Sequence, residues 1–282
     1  MKIKVIVDSG SDILKDEALS MDVQVLPLKV TFHEDEYLDG VNLNHFEFYE
    51  KLIESDSLPK TSQISPYEYS EAFDKALEDH DEVICITLAS KLSGCYQSAN
   101  IAKDGRKNIH IIDSCNVAMA ERAIVQLVCQ YRSEGMDASS IVRKVESKKK
   151  RLKILALLDT LEYLKKGGRI SSATAFAGEL LAIKPVVTVD EEGSVVMLGK
   201  ARGSKNGNNI LINLVNKYGI DFSLPYSVGY SGLTDSVLTK YLTDSKSLYE
   251  KHTENIPIYT VGAAIGTHVG PGVVAVSFFT KE

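Results

Sequence analysis

Apolar runs of six to eight residues recur along the first half of the chain, each closing on a polar turn: "KIKVIVD", "EVICITLA" and "NIHIID". Runs of this length bounded by turn residues read as buried strands. Between them the period changes. "SPYEYSEAFDKALEDH" spaces Tyr69, Phe73 and Leu77 along one helical face, with Ser65 placed to cap it and Pro66 at the first helical position. "SGCYQSANIAKD" reads as a helix opening at a glycine-containing turn. Two longer helices are expected over about 117–134 and 138–149. "VQVLPLKVTF" is extended and broken by Pro27, and Asp12 or Ser11 is expected to cap a short helix after the first strand.

Strands alternating with helices over residues 1–150 predict an α/β domain with a doubly wound, Rossmann-like parallel sheet. Ligands of such sheets sit beyond the carboxyl ends of the strands. The loops at Asp8-Ser9, Ser90 to Ser93 and Asp113-Ser114 should therefore converge. The basic run "ESKKKRLK" reads as a helix C-terminus and marks the expected domain boundary. Residues 151–282 read as a mixed α+β domain. "KILALLD" is a strand, "TLEYLKKGGR" a short helix capped by Thr160 and stopped by Gly167, and "SSATAFAGELLA" a further helix. "KPVVTVDEEGSVVMLGKAR" is a hairpin about Glu192-Gly193. Two helices and the strands "YSVGYSG", "IPIYTVG" and "GVVAVSFF" complete it, with "GAAIGTHVGPG" read as a glycine-rich loop.

Composition narrows the function classes. A net charge of −6 over 282 residues argues against nucleic-acid binding by bulk electrostatics. No apolar run approaches the roughly 18 residues a membrane span needs, and the N-terminus lacks a signal-peptide pattern, so a cytoplasmic protein is expected. Cys85, Cys95, Cys115 and Cys129 form no C-x-x-C pair and have no zinc spacing; no metal site is expected. "HEDEYLD" reads as a solvated acidic loop. The chain has no P-loop, G-x-S-x-G or H-E-x-x-H motif, and "GPGVVA" precedes a strand instead of opening a helix, which rules out its dinucleotide reading.

Five positions in four segments stand out. Thr61, in "KTSQIS", lies too far upstream to cap the helix at Ser65. Ser93 and Gly94 open a helix after a buried strand, where backbone N–H groups attract an anion, although Ser93 could equally be a simple cap. Arg169 follows a double glycine, and His268 stands between Gly266 and Gly270, where bare backbone would let a ligand approach the ring. Hydroxyls, a helix N-terminus, a guanidinium and an imidazole suit a small anionic head, carboxylate or phosphate.

The series "VDSGSDI", "VLPLKV", "KTSQISP", "SKLSGCYQSA", "IIDS", "LEYLKKGGRISS", "KPVVTV" and "IGTHVGPGVVAVSFF" resembles the DegV family of bacterial lipid-binding proteins across essentially the whole chain. The resemblance implies a long-chain fatty acid of the palmitate, stearate or oleate type enclosed between the two domains, with no covalent cofactor. It places the carboxylate on the hydroxyls of Thr61 and Ser93, near Arg169 and His268. Some family members carry the acid for a separate ATP-binding fatty acid kinase subunit, which forms an acyl phosphate; a monomer docking transiently on such a partner is the expectation here. Two departures are Cys95, where the family usually has Thr, and Ile64, where Pro is common.

Tunnel walls are expected in "ILALLD", "VVAVSFF" and "SSATAFAGELLAIKP". The main rival is a serine hydrolase built from Ser93, His268 and Asp113 or Asp8, which requires hydrogen-bond reach between hydroxyl and imidazole. A second is a binding or sensing module for another small anion.

Overall fold

The computed structural model describes residues 2–170 and 183–281; the helix expected at "SSATAFAGELLA" lies outside them. The first sheet is wholly parallel. Ile3–Asp8 is central, flanked by Val23–Leu26 and Glu82–Thr87, with Ile109–Asp113 outermost. Helices Pro66–Asp79, Cys95–Lys103, Ala118–Ser133 and Ala138–Lys148 cover it, which is the expected doubly wound arrangement. Local signals set several of these ends. Ser65 and Glu68 form a reciprocal capping box with Pro66 in the first turn.

The second large sheet has six strands in the order Val195–Arg202, Ile183–Val189, Leu152–Leu157, Val274–Phe279, Ser227–Tyr230, Ile258–Thr260. It is mixed: only the last pair is parallel. The hairpin turns as expected, with Gly193 at φ +87. The period-2 alternation along Leu152–Leu157 has a purpose. Leu155 and Leu157 pack under helices Ser204–Tyr218 and Ser236–Asp244, whereas Ile154 and Ala156 face the other way, toward helix Ala118–Ser133. That helix packs on both sheets and is buried along most of its length.

A small antiparallel sheet, Asp35–Leu38, Lys29–Phe32 and Lys60–Ser62, sits beside them with helix His45–Glu54. Pro27 separates Val23–Leu26 from Lys29–Phe32 so completely that the two strands belong to different sheets.

Three expectations fail. Neither Ser11 nor Asp12 caps the helix after the first strand: Lys15–Ser20 begins at Leu14 with no side-chain cap. Ser11 Oγ donates to the Asp8 carbonyl, and Asp12 is used elsewhere. The glycine-rich loop "GAAIGTHVGPG" contains a helix, Ala263–Val269. Its glycines serve packing, not ligand access. A Cβ at Gly266 would lie 2.6 Å from Phe48 Cε1, and Gly270 takes φ +71, which closes the helix. Gly266→Ala is expected to cost about 1–3 kcal/mol by overpacking, measured by chemical denaturation; unchanged stability would show that the His45–Glu54 helix yields. Third, "HEDEYLD" is not a solvated loop: it holds the strand Asp35–Leu38 and ends on the buried Asp39. Helix Glu162–Lys166 does stop at Gly167 as expected, with the left-handed turn on Gly168 at φ +69.

Candidate functional site

The loops leaving the parallel strands converge as the topology requires. A cavity of about 350 Å³ lies beyond their carboxyl ends, lined by Leu28, Leu88, Leu92 and Val117 from those loops. Thr61, Ser93, Gly94, Arg169 and His268, five positions scattered over more than 200 residues of sequence, all line it.

Thr61 arrives on the short strand Lys60–Ser62, whose register sets it opposite Val30. His268 arrives in the last turn of Ala263–Val269. Thr61 Oγ1 and His268 Nε2 are 2.8 Å apart. Burial, with the Arg169 charge adding to it, pushes the imidazole down to about 4, so the ring is neutral at physiological pH. With its proton on Nε2, His268 donates to Thr61 Oγ1 and leaves the threonine O–H free to donate into the cavity; the other tautomer consumes that hydrogen. His268 Nδ1 is buried and has no partner among the described residues. It packs over Gly167, where a Cβ would lie 2.3 Å from it.

Ser93 lies two residues before helix Cys95–Lys103, whose N-cap is Gly94. Its Oγ accepts the Cys95 N–H at 3.3 Å and donates to Cys95 Sγ at 3.2 Å. Burial pushes the Cys95 thiol up to about 12, which keeps it protonated and a weak acceptor that a carboxylate would outcompete. A Cβ at Gly94 would lie 1.8 Å from Oε1 of the exposed Gln63 side chain, which would have to swing aside. Gln63, which the sequence reading passed over, lines the cavity and donates to Ser98 Oγ. Only its position next to Thr61 and Ser62 hinted at this. Arg169 donates from Nη1 to the Gly167 carbonyl and from Nε to Leu92, so its turn is tied to the Ser93 loop.

Away from the polar end, Val117, Leu164, Val195, Ile265 and Val269 are shared with a second, wholly apolar space of about 60 Å³. Its walls include Ile154, Ala156 and Leu158 from "ILALLD", and Val273 and Ala275 before and within the last long strand. The third expected wall, "SSATAFAGELLA", lies outside the described residues.

The hydrolase constellation is not assembled. Ser93 bonds Cys95 and His268 bonds Thr61. Asp113 accepts from the backbone of Ser90 and Cys115, and Asp8 from that of Gly10 and Leu88. No cluster of three or more metal-ligating side chains occurs among the described residues, and no helix among them is long and apolar enough to cross a membrane.

Comparison with known proteins agrees along the whole chain. Residues 2–281 match the family model described as "Uncharacterised protein, DegV family". A DegV domain-containing protein of Caldanaerobacter subterraneus is 33% identical, with 99% of each chain covered; one from Clostridium acetobutylicum is 34% identical over the same shares. Among solved structures, a fatty-acid-binding DegV family protein from Thermus thermophilus superposes with a TM-score of 0.89 at 28% identity, covering all of both chains. The DegV fatty acid binding protein of Bacillus subtilis gives 0.85 at 28%, again over all of both chains. A stearic acid-binding protein from Eubacterium ventriosum gives 0.86 at 25%, covering 99% of this chain and 98% of its own. With its parallel sheet, its second mixed sheet and this full-length match, the chain belongs to the DegV family.

Proposed function

We propose that this chain encloses a long-chain fatty acid, of the palmitate, stearate or oleate type, between domains formed by residues 1–150 and 151–282. The observation that carries the reading is the cavity that gathers Thr61, Ser93, Gly94, Arg169 and His268 and shares five apolar wall residues with a second, apolar space. The two spaces match the two opposed needs of such a ligand. About 15 methylenes contribute roughly 0.8 kcal/mol each on burial, whereas a buried carboxylate without donors is very costly. Thr61, its O–H freed by His268, and Ser93, turning from Cys95, donate to the carboxylate, and Arg169 lends positive charge nearby. The fatty acids held by the Thermus thermophilus, Bacillus subtilis and Eubacterium ventriosum proteins support the same ligand class here.

The carrier delivers its acid to a separate ATP-binding kinase subunit, which phosphorylates the carboxylate to an acyl phosphate; this chain has no phosphate-binding motif to do so alone. Organic extraction of the purified protein followed by mass spectrometry should recover a fatty acid at near one equivalent. A protein that yields none and takes up neither palmitate nor oleate overturns the carrier reading. Acyl phosphate, trapped with hydroxylamine in a mixture with the kinase subunit and ATP, tests the partnership separately.

A further inference from the structure

Two buried carboxylates that do not line the cavity, Asp12 and Asp39, grip one helix. Ala263–Val269 has no cap of its own: its N-cap is Gly262, and none of its side chains satisfies its leading N–H groups. Those groups are accepted by residues far away in sequence. Gly262 N–H donates to Asp12 Oδ1 at 2.8 Å, Ala263 N–H to Asp39 Oδ1 at 3.0 Å and Ala264 N–H to Asp39 Oδ2 at 3.3 Å. Ser9 Oγ holds Asp39 Oδ2 from the other side at 2.9 Å. Asp12 and Asp39 are both buried.

This helix is the element that delivers His268. Its inward face, Ala264, Ile265, His268 and Val269, lines the cavity. Gly262, Gly266 and Gly270 recur every fourth residue on another face and press on His45, Phe48 with Tyr49, and Tyr163. Such bare contacts allow close approach but supply no polar hold. Polar holds on this segment come from Tyr49 Oη, which donates to the Val261 carbonyl at 3.1 Å, from Ser231 Oγ, which donates to the Gly270 carbonyl at 2.6 Å, and, at the leading N–H groups, from the two carboxylates.

Asp39 is also tied to Thr61. It directly follows Asp35–Leu38, and its own N–H donates to the Leu28 carbonyl at 2.9 Å. In the same small sheet Val30 is paired with Tyr37 on one side and Thr61 on the other. The contacts close a ring: sheet to Thr61, Thr61 to His268, His268 through its helix to Asp39, and Asp39 back to the sheet. We propose that Asp39, with Asp12 as a second hold, is a positioning residue that sets His268 against Thr61 and so orients the Thr61 hydroxyl toward the cavity. Asp39 holds Ala263 and Ala264 in the same short helix that carries His268, so freeing the first turn displaces His268 as well as the cap.

The orientation arm needs no ligand; the consequence for binding rests on the fatty-acid reading. Protein labelled with ¹⁵N-histidine is observed by NMR across a pH titration for wild type, Asp39→Asn, Asp12→Asn and, as a core variant remote from the site, Val145→Ala. Wild type should show a neutral His268 with two distinct ring-nitrogen shifts at neutral pH, where Asp39 is ionised. In Asp39→Asn, which cannot accept all three donors, those shifts should converge and the ring should titrate closer to the ordinary histidine range, with oleate affinity lowered about tenfold. Asp12→Asn should move the same resonances less, and Val145→Ala should leave them in place. Unmoved His268 resonances in both aspartate variants, or an equal change in Val145→Ala, overturns the proposal. If wild type binds no oleate, the carrier reading falls while the NMR comparison still decides this one.

Discussion

Removing both head-group hydroxyls, Thr61→Ala with Ser93→Ala, is expected to weaken oleate or palmitate binding by about two to four orders of magnitude. Each hydrogen bond to a charged carboxylate is worth about 1.5–3 kcal/mol, and 1.4 kcal/mol is a factor of ten. The two hydroxyls line one cavity but hang on different partners, Thr61 on His268 and Ser93 on Cys95. The single variants should therefore differ. Thr61→Ala also strands His268 Nε2 in a buried place, so it should cost more than Ser93→Ala. Direct titration of delipidated protein by calorimetry, with circular dichroism to show an intact fold, checks this. Affinity within threefold of wild type in the double variant would remove both residues from the head-group assignment. The four polar positions would then mark the polar end of the cavity without gripping anything.

Glu121→Gln should flatten the pH dependence of stability. Glu121 is fully buried in helix Ala118–Ser133, and neither carboxyl oxygen has a hydrogen-bond partner among the described residues. Burial first, and then the nearby Asp8, Cys95, Asp12 and Asp113, hold its carboxyl well above the ordinary range. The native protein thus keeps a proton that the unfolded chain releases above about 4.5. The stabilisation from that group is fully present below the unfolded value and is lost as pH rises toward the native one. The loss runs at about 1.4 kcal/mol per pH unit. Glutamine carries no titrating proton. The variant should match wild type near pH 4 and exceed it increasingly through neutral pH, read from urea unfolding at several pH values. Parallel curves for the two proteins would mean that Glu121 titrates normally. Asp8, raised by burial to about 7, and Asp39, raised to about 6, add slope of the same sign and remain in the variant.

Much of this molecule was legible in the chain because its signals are local. Each buried strand of the parallel sheet announced itself as an apolar run ending at a turn. Ser65, Pro66 and Glu68 wrote the start of one helix within four residues. The approach of the Ser9, Ser93 and Ser114 loops followed from topology: Leu88 N–H reaches Asp8 and Ser114 N–H the Thr87 carbonyl, although neither Ser9 nor Ser114 lines the cavity. The site residues were legible more faintly. Thr61 was noticed because it capped nothing, whereas Gln63 beside it, with no such oddity, was not.

The segment from Gly262 to Gly270 shows where local reading stops. Three glycines in nine residues, of which Gly266 costs about 1 kcal/mol in the helix interior, and no capping side chain argue for a loop. The segment is nevertheless helical, because Asp12 and Asp39 satisfy its first N–H groups and the His45–Glu54 helix fits against its bare face. Asp12 is indeed a cap, as its type predicted, but for a helix 250 residues downstream. The amino-acid order by itself determined most of the strands and helices, since propensity, period and capping act over a few residues. Only the folded chain decided which carboxylate meets which helix, and so where His268 stands against Thr61, because that depends on contacts between residues that share no neighbourhood in sequence.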